Sequence, residues 1–320
     1  MSDCLGCCLP IEDPSMEYHP ACAHTLFGSD APPILPYAIK DINRLAKENV
    51  LQRVAVAGVQ KKLSLHLQGE QGSAQRLTIV GLWGDYILKP PTEEYAELPE
   101  LEHATMRMAE ICGIQIVPNG LIRMKSGELA FITRRIDRQK GGGKRAMEDF
   151  CQLSERLTEH KYRGSVEQAS KLILRHTVNP GYDLLRFFEL LVFCFLTGNA
   201  DMHLKNFSLY RLADGYSLTP AYDLLPSTLL LPDDPEESAL TINGKKNRLT
   251  RGDFLSAAST MRIPERAALN SLERIIAAVP ECRTFIKRSR VSAPMRKRYT
   301  ALIAARTKRL VNTAEGASHG

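Results

Sequence analysis

Hydrophobic and polar positions mostly follow a two-residue period in the first 140 residues and a helical period afterwards. Alternation of apolar and polar residues predicts β-strands, and the glycine-containing segments between them are typical of hairpins. Apolar residues three and four positions apart predict amphipathic helices instead. Strands are predicted over 54–56, 63–67 and 86–89 and in a hairpin over 120–136, and helices over 37–49 and 98–112.

After three glycines at 141–143 the helical period dominates, and only one short hairpin, turning at Asp214-Gly215, interrupts it. Helices are predicted over 147–157, 165–176, 181–198, 252–261, 264–278 and 294–311. This order predicts an α+β chain with a bilobal, protein-kinase-like fold, a small β-rich N-lobe and a larger helical C-lobe. The predicted divisions are a Cys/His-bearing extension over 1–30, a β-rich lobe over 31–140, a helical lobe over 141–312 and a disordered tail over 313–320.

Composition changes this picture little, because it is ordinary for a globular protein of 320 residues. The longest apolar run, 190–196, is too short to cross a bilayer, and the first ten residues do not resemble a signal peptide. We therefore expect a cytoplasmic protein that does not interact with membranes. The net charge is +6, and the basic stretch 283–309 contains no acidic residue. That stretch is either a solvated helix face or a surface for an anionic partner.

The strongest chemical pattern lies at 197–208, which reads TGNADMHLKNFS and follows a very apolar helix. Asp201 and Asn206 have the D-x-x-x-x-N spacing that phosphoryl transfer uses for an acceptor-aligning carboxylate and a Mg²⁺ ligand. Asp223, beyond the next hairpin, is placed to be the second metal ligand. Lys205 or His203 would balance charge on the transferred group. The alternative is a polar loop that caps a buried helix, with Asp201 as a turn residue.

The β-rich part carries candidates for nucleotide binding. Lys89 ends an apolar strand, where an ammonium group would reach phosphates, and Glu102 in the next helix would hold it. The residues 56–62 link two strands and would cover the phosphates with backbone N–H groups. The candidates in this loop are Ala57, Gly58, Val59, Gln60 and Lys62. At the exit of the hairpin, Arg134, Ile136 and Asp137 lie where a hinge would accept adenine.

Six segments in this order resemble the kinase core of HipA toxins: AGVQKKLSL, YILKPP, TRRIDR, MEDFCQ, TGNADMHLKNFSL and LTPAYDLLPS. The resemblance covers about residues 50–260 and implies a serine/threonine protein kinase that uses ATP and Mg²⁺. It implies Asp201 as catalytic base, Asn206 and Asp223 as Mg²⁺ ligands and Lys89 on the nucleotide phosphates. It also implies that three residues lie in the nucleotide pocket: His203, Asp137 and Gln152.

The phosphate loop comes by residue 55, so the chain is similar to the short HipT form of a three-component module. The resemblance implies a HipS-like partner, a DNA-binding HipB-like antitoxin and an aminoacyl-tRNA synthetase, glutamyl or tryptophanyl, as substrate. DNA would be contacted only through the antitoxin. Ala55 and Ala57 stand where the family has autophosphorylated serines, which puts that form of control in doubt. Alternative functions are a nucleotide-binding pseudokinase and a small-molecule phosphotransferase.

Eight cysteines divide into two groups. Four of them occur singly in largely apolar helical segments and are interpreted as packed thiols: Cys112, Cys151, Cys194 and Cys282. Near the N-terminus, the pairs Cys4-x-x-Cys7 and His19-x-x-Cys22 have spacing suited to tetrahedral Zn²⁺, with Cys8 and His24 as spare ligands. Because the loop between the pairs is short and a kinase needs no such metal, reduced packed thiols are the favoured interpretation.

Overall fold

The computed structural model describes residues 3–47, 62–69, 75–80, 83–95, 97–139 and 143–311. The chain divides into two compact units. The first, called the β-rich unit, comprises Met1–Arg107, Val117–Gly143 and Arg288–Ser292. The second, called the helical unit, comprises Met108–Ile116, Lys144–Lys287 and Ala293–Gly320. No helix in the described residues is long and apolar enough to cross a membrane.

The β-rich unit contains an antiparallel five-stranded sheet. Its strands are β1 (Leu63–Gln68), β2 (Arg76–Ile79), β3 (Tyr86–Lys89), β4 (Asn119–Arg123) and β5 (Leu129–Arg134), in the order β2-β1-β3-β5-β4. Three helices accompany it, α1 (Pro20–Phe27), α2 (Ile39–Lys47) and α3 (Leu98–Ile111). Leu63, Leu65 and Leu88 are fully buried on one face of the sheet, as the two-residue period predicts.

Several side chains of residues 3–30 belong to the core of the β-rich unit. The carbonyl of Leu5 accepts a hydrogen bond of 3.0 Å from the Leu121 amide of β4. The Tyr86 hydroxyl of β3 donates to the Leu26 carbonyl at 3.1 Å. Tyr18 and Phe27 are buried and pack edge to face, with ring centroids 5.6 Å apart. The N-terminal segment is therefore a covering layer of the sheet.

The helical unit surrounds one central helix. Its helices are α4 (Phe150–Leu153), α5 (Val166–His176), α6 (Pro180–Thr197), α7 (Ser227–Leu230), α8 (Arg251–Thr260), α9 (Glu265–Ala277), α10 (Val279–Arg288) and α11 (Ala293–Leu310). A three-stranded antiparallel sheet, β6 (Met147–Asp149), β7 (Ser208–Arg211) and β8 (Tyr216–Leu218), has the order β6-β7-β8. The α6 helix is buried along its second half, and Gly198 ends it with a left-handed φ of 74°. A Cβ at Gly198 would lie 2.5 Å from the Leu302 side chain.

Most predicted elements in the described residues agree with the structure within two residues at each end, and one does not. The helix predicted over 147–157 is wrong over its first three residues, because Met147–Asp149 pair with β7 as a strand. Only Phe150–Leu153 are helical there. The sequence also did not predict the helices α1, α7 and α10 or the strand β2. The strand predicted over 54–56 lies outside the described residues.

The basic stretch 283–309 is not one solvated face, because several of its side chains have intramolecular roles. Arg306 is 6% exposed and lies over the Phe195 ring at 4.6 Å. Arg309 pairs with the Glu237 carboxylate at 2.6 Å. Arg298 donates to the Leu229 carbonyl at 2.7 Å. These arginines hold α11 to the rest of the helical unit.

Candidate active site

The loop after α6 brings the predicted Mg²⁺ ligands together. A 3₁₀ turn over Leu204–Asn206 follows the loop, and the β7–β8 hairpin then returns the chain to Asp223. The Asn206 Nδ2 donates to the Asp223 Oδ2 at 3.2 Å. The Asn206 Oδ1 is buried and has no hydrogen-bond partner among the described residues. A buried amide oxygen beside a carboxylate is a donor set that Mg²⁺ accepts, so the residues present fit this ion.

Backbone geometry at Asp223 is unusual for a residue with a side chain. Its φ is +60°, in the left-handed region, which costs free energy unless the surroundings hold it. Hydrogen bonds of the neighbouring Tyr222 stabilise this backbone conformation. Its hydroxyl lies 2.6 Å from the Ser208 hydroxyl and donates to the Lys205 carbonyl at 3.2 Å. These bonds connect the segment of Asp223 to the loop that carries Asn206.

Asp201 is exposed on the same loop and is available to an incoming hydroxyl group. The Tyr162 hydroxyl donates to its Oδ1 at 2.8 Å. Burial, together with this hydrogen bond to a carboxylate, raises the pKa of Tyr162 above its usual range. Tyr162 was not among the predicted site residues, because nothing local in the sequence connects it with a loop 39 residues later.

His203 is 8% exposed and packs edge to face against Tyr162, with ring centroids 5.1 Å apart. Burial lowers the pKa of His203, which favours the neutral ring. Its Nδ1 is buried without a hydrogen-bond partner in the described part of the chain. A neutral imidazole carries no charge to balance that of a phosphoryl group, but its free ring nitrogen can form a hydrogen bond with a polar ligand. Of the two predicted roles of His203, the geometry therefore favours contact with the nucleotide.

Lys205 contacts a carboxylate that sequence reasoning missed. Its Nζ lies 2.7 Å from the Asp149 Oδ2. Asp149 also caps α4 in a reciprocal capping box. The backbone N–H of Gln152 donates to the Asp149 Oδ1 at 2.9 Å, and the backbone N–H of Asp149 donates to the Gln152 Oε1 at 2.9 Å. The exposed Gln152, predicted to contact nucleotide, is engaged in this capping box. The D-x-x-Q spacing at 149–152 was the available signal for the cap.

Lys89 and Glu102 form a buried ion pair in the β-rich unit. The Lys89 Nζ lies 2.5 Å from the Glu102 Oε1, and the two residues are 3% and 1% exposed. The ammonium group is also 5.5 Å from the centre of the Phe131 ring. A buried charge is tolerated only when it is paired, so β3 and α3 present this lysine in a fixed position.

The predicted hinge segment is held by charge pairing. Arg135 donates to the two Asp137 carboxylate oxygens at 3.0 and 2.9 Å, and Arg138 donates to one of them at 2.9 Å. Burial opposes ionisation, but these arginines outweigh it and lower the pKa of Asp137. Arg134 and Ile136 are half-buried beside it.

The predicted phosphate-loop residues Ala57, Gly58, Val59 and Gln60 lie outside the described residues. Lys62 is described and is partly buried immediately before β1.

Comparison with known proteins identifies the family. The sequence profile described as "HipA-like C-terminal domain" matches residues 54–282. The chain belongs to this HipA-like family. It is 31% identical over 268 residues to "Putative kinase Y4dM" of Sinorhizobium fredii, covering 79% of this chain and 63% of that protein. It is 26% identical over 253 residues to "Serine/threonine-protein kinase toxin HipA" of Shewanella oneidensis, covering 72% of this chain and 56% of the toxin.

Two solved structures share the fold. HipA of Shewanella oneidensis, solved with HipB and operator DNA, superimposes with a TM-score of 0.69 at 21% identity, covering 86% of this chain and 71% of HipA. The Helicobacter pylori proinflammatory kinase CtkA gives a TM-score of 0.53 at 17% identity, covering 70% of this chain and 86% of CtkA. The predicted α+β, protein-kinase-like fold is therefore confirmed. The chain spans about three fifths of the length of the curated relatives named above.

Proposed function

We propose that this protein is an Mg-ATP-dependent serine/threonine protein kinase that acts as the toxin of a toxin–antitoxin module, in the short HipT-like form. One observation carries the proposal above the others. The Asn206 side-chain amide contacts the Asp223 carboxylate at 3.2 Å, and its oxygen is buried without a partner among the described residues. Asp201 is exposed on the same loop. A turn that merely capped α6 would have no need of this arrangement.

In the proposed reaction, the substrate hydroxyl oxygen attacks the γ-phosphorus of ATP, the bond to the β–γ bridging oxygen breaks, and ADP leaves. Asp201 aligns the hydroxyl group and accepts its proton. Asn206 and Asp223 would hold Mg²⁺, whose chemistry is to neutralise charge on the phosphate oxygens. Lys205, held by Asp149 at 2.7 Å, supplies positive charge beside the reacting group.

Nucleotide binding is proposed for the residues that sequence reasoning selected. Lys89, held by Glu102, would contact the phosphates as a point charge. His203 offers its unpartnered ring nitrogen to the nucleotide. The segment 134–137 would accept adenine through backbone groups, because the Asp137 carboxylate is already engaged by two arginines.

Partners and substrate are proposed from the relatives. The Shewanella HipA structure contains HipB and operator DNA, which supports a HipB-like antitoxin for this chain and an indirect contact with DNA. A HipS-like protein is proposed as the third component. An aminoacyl-tRNA synthetase, tryptophanyl or glutamyl, is the proposed substrate, and its phosphorylation in the cytoplasm would block translation.

The catalytic assignment is tested with the full chain, Mg-ATP carrying a labelled γ-phosphate and each purified synthetase. Asp201→Asn and Asp223→Ala should each reduce phosphate transfer by about 100-fold or more, since each removes one required function. Asp201→Asn should still bind ATP, because Asp201 acts on the acceptor. Asp214→Asn, an exposed aspartate in the β7–β8 turn, is the matched control and should be unaffected. Transfer near the wild-type rate by either active-site variant would refute the roles, whereas ATP binding without transfer to any protein would favour the pseudokinase.

A further inference from the structure

Four side chains near the N-terminus converge on one point. The Sγ atoms of Cys4, Cys7 and Cys22 and a ring nitrogen of His19 all lie within 4.8 Å of one another. The His19 Nδ1 is 3.3 Å from the Cys7 Sγ and 3.9 Å from the Cys22 Sγ. In a tetrahedral site with Zn–S bonds of about 2.3 Å, neighbouring sulfurs are about 3.8 Å apart. No two of the four ligand atoms are therefore more than about 1 Å further apart than neighbouring sulfurs of a zinc tetrahedron.

The backbone around Cys4 builds a turn that directs N–H groups at its sulfur. The Gly6 amide donates to the Cys4 Sγ at 3.3 Å, and the His19 amide donates to the same atom at 3.4 Å. The Cys8 amide closes the turn on the Cys4 carbonyl at 2.9 Å, with Cys8 at a φ of 57°. Two N–H donors on one sulfur stabilise a thiolate, which is the form that binds metal.

The orientation of His19 is fixed by a second contact. Its Nε2 lies 3.0 Å from the Pro10 carbonyl, an acceptor only, so the Nε2 carries the hydrogen. The Nδ1 is then the nitrogen with a free lone pair, and it lies on the side of the Cys7 and Cys22 sulfurs. A histidine that donates its other ring nitrogen to a carbonyl is the usual arrangement of a zinc ligand.

From these contacts we propose that Cys4, Cys7, His19 and Cys22 bind one structural Zn²⁺ ion. Four protein ligands fill a tetrahedral site and leave no open position, so the ion would stabilise the fold and would not bind substrate. The short loop that favoured packed thiols at the level of sequence is long enough, because residues 8–18 return the chain to His19 beside Cys7. All four cysteines of the segment are free of disulfides.

The proposed site is connected to the Lys89–Glu102 pair. The carbonyl of Gly6, between two of the ligands, accepts a hydrogen bond of 2.9 Å from the His103 Nε2. His103 is buried and directly follows Glu102 in α3. Loss of the ion should therefore loosen both the N-terminal layer and the first turns of α3. This consequence is structural and does not rest on the proposed kinase function.

The test begins with the full-length protein, produced in zinc-supplemented medium and purified under reducing conditions. Elemental analysis should find about one zinc per chain after desalting. A cobalt-substituted sample should show the intense absorption of tetrahedral thiolate coordination. A strong chelator should lower the Tm by about 5 °C or more, because an ion that binds only the folded state stabilises it. None of these readouts requires kinase activity or a variant that folds.

Variants identify the ligands. Cys7→Ser and Cys22→Ser should retain less than about a tenth of the zinc, since each removes one of four ligands. Cys8→Ser and His24→Ala are matched controls that change a neighbouring thiol and an exposed imidazole outside the four-ligand group, and both should keep their metal. Wild-type protein with less than about 0.2 zinc per chain, a disulfide among these cysteines, a Tm unchanged by chelation, or equal metal loss in the controls would each overturn the proposal.

Discussion

Removing one partner of the Lys89–Glu102 pair should destabilise the protein far more than removing one partner of an equally short surface pair. The buried pair has an Nζ–Oε1 distance of 2.5 Å, and its residues are 3% and 1% exposed. Glu102→Gln leaves a buried ammonium without its carboxylate, and Lys89→Met leaves a buried carboxylate without its ammonium. Each change should lower the free energy of unfolding by about 3–5 kcal/mol.

The surface pair Arg123–Glu17 in the same unit is the matched control. Its Nε–Oε1 distance is also 2.5 Å, but the side chains are 46% and 38% exposed. Because water screens this pair, Glu17→Gln should cost at most about 1 kcal/mol. Because the distance is equal in the two pairs, the expected difference reflects burial and not a shorter contact.

The double variant Lys89→Met/Glu102→Gln separates stability from chemistry. It removes both charges, so its destabilisation should be smaller than the sum of the single changes by about 2 kcal/mol or more. Urea unfolding followed by far-ultraviolet circular dichroism measures all the variants. The double variant should regain stability and still transfer no phosphate, since the proposed phosphate contact is gone. Additive effects, or a Glu102→Gln cost no larger than that of Glu17→Gln, would refute the reasoning.

Two further predictions concern single side chains. Burial raises the pKa of Glu100 to about 7, and its Oε2 has no hydrogen-bond partner among the described residues. The folded state therefore binds more protons than the unfolded state between about pH 4.5 and 7, and stability falls as pH rises through that window. Glu100→Gln should be more stable than wild type by about 1–3 kcal/mol above pH 7 and by little near pH 4.5, and a pH-independent difference in urea midpoints would contradict this. Tyr162→Phe removes the hydrogen bond to Asp201 from a residue that is 43% exposed, so kcat/KM for phosphate transfer should fall roughly 3- to 20-fold with an unchanged Tm; wild-type kinetics would show that the bond does not orient Asp201.

The sequence by itself determined the features that depend on neighbours along the chain. Period-two alternation located β1, a short apolar run before Pro90-Pro91 located β3, and helical periodicity located α5, α6 and α9. The left-handed C-cap at Gly198 fixes where α6 ends and where the loop of Asp201 and Asn206 begins. These elements are local, because each is set by backbone hydrogen bonds and side-chain periodicity within one segment.

Local patterns also misled in two places. The residues 147–149 fit a helical period, yet they pair with β7 because a strand 60 residues later supplies their hydrogen-bond partners. The arginines near the C-terminus were interpreted as one basic stretch, although Arg306 lies over Phe195 and Arg309 pairs with Glu237. Whether a charged side chain is buried depends on which residues pack over it, and a local stretch of sequence does not specify those residues.

Only the tertiary structure decided which polar groups meet. Asp149 reaches Lys205 across 56 residues, and Tyr162 reaches Asp201 across 39. The proposed zinc site has the same origin: ligand spacing in the sequence allowed either packed thiols or a metal, and convergence of four ligand atoms within 4.8 Å favours the metal. Chemistry at a site depends on distances of a few ångströms between groups far apart in the chain, and those distances are set when the core packs.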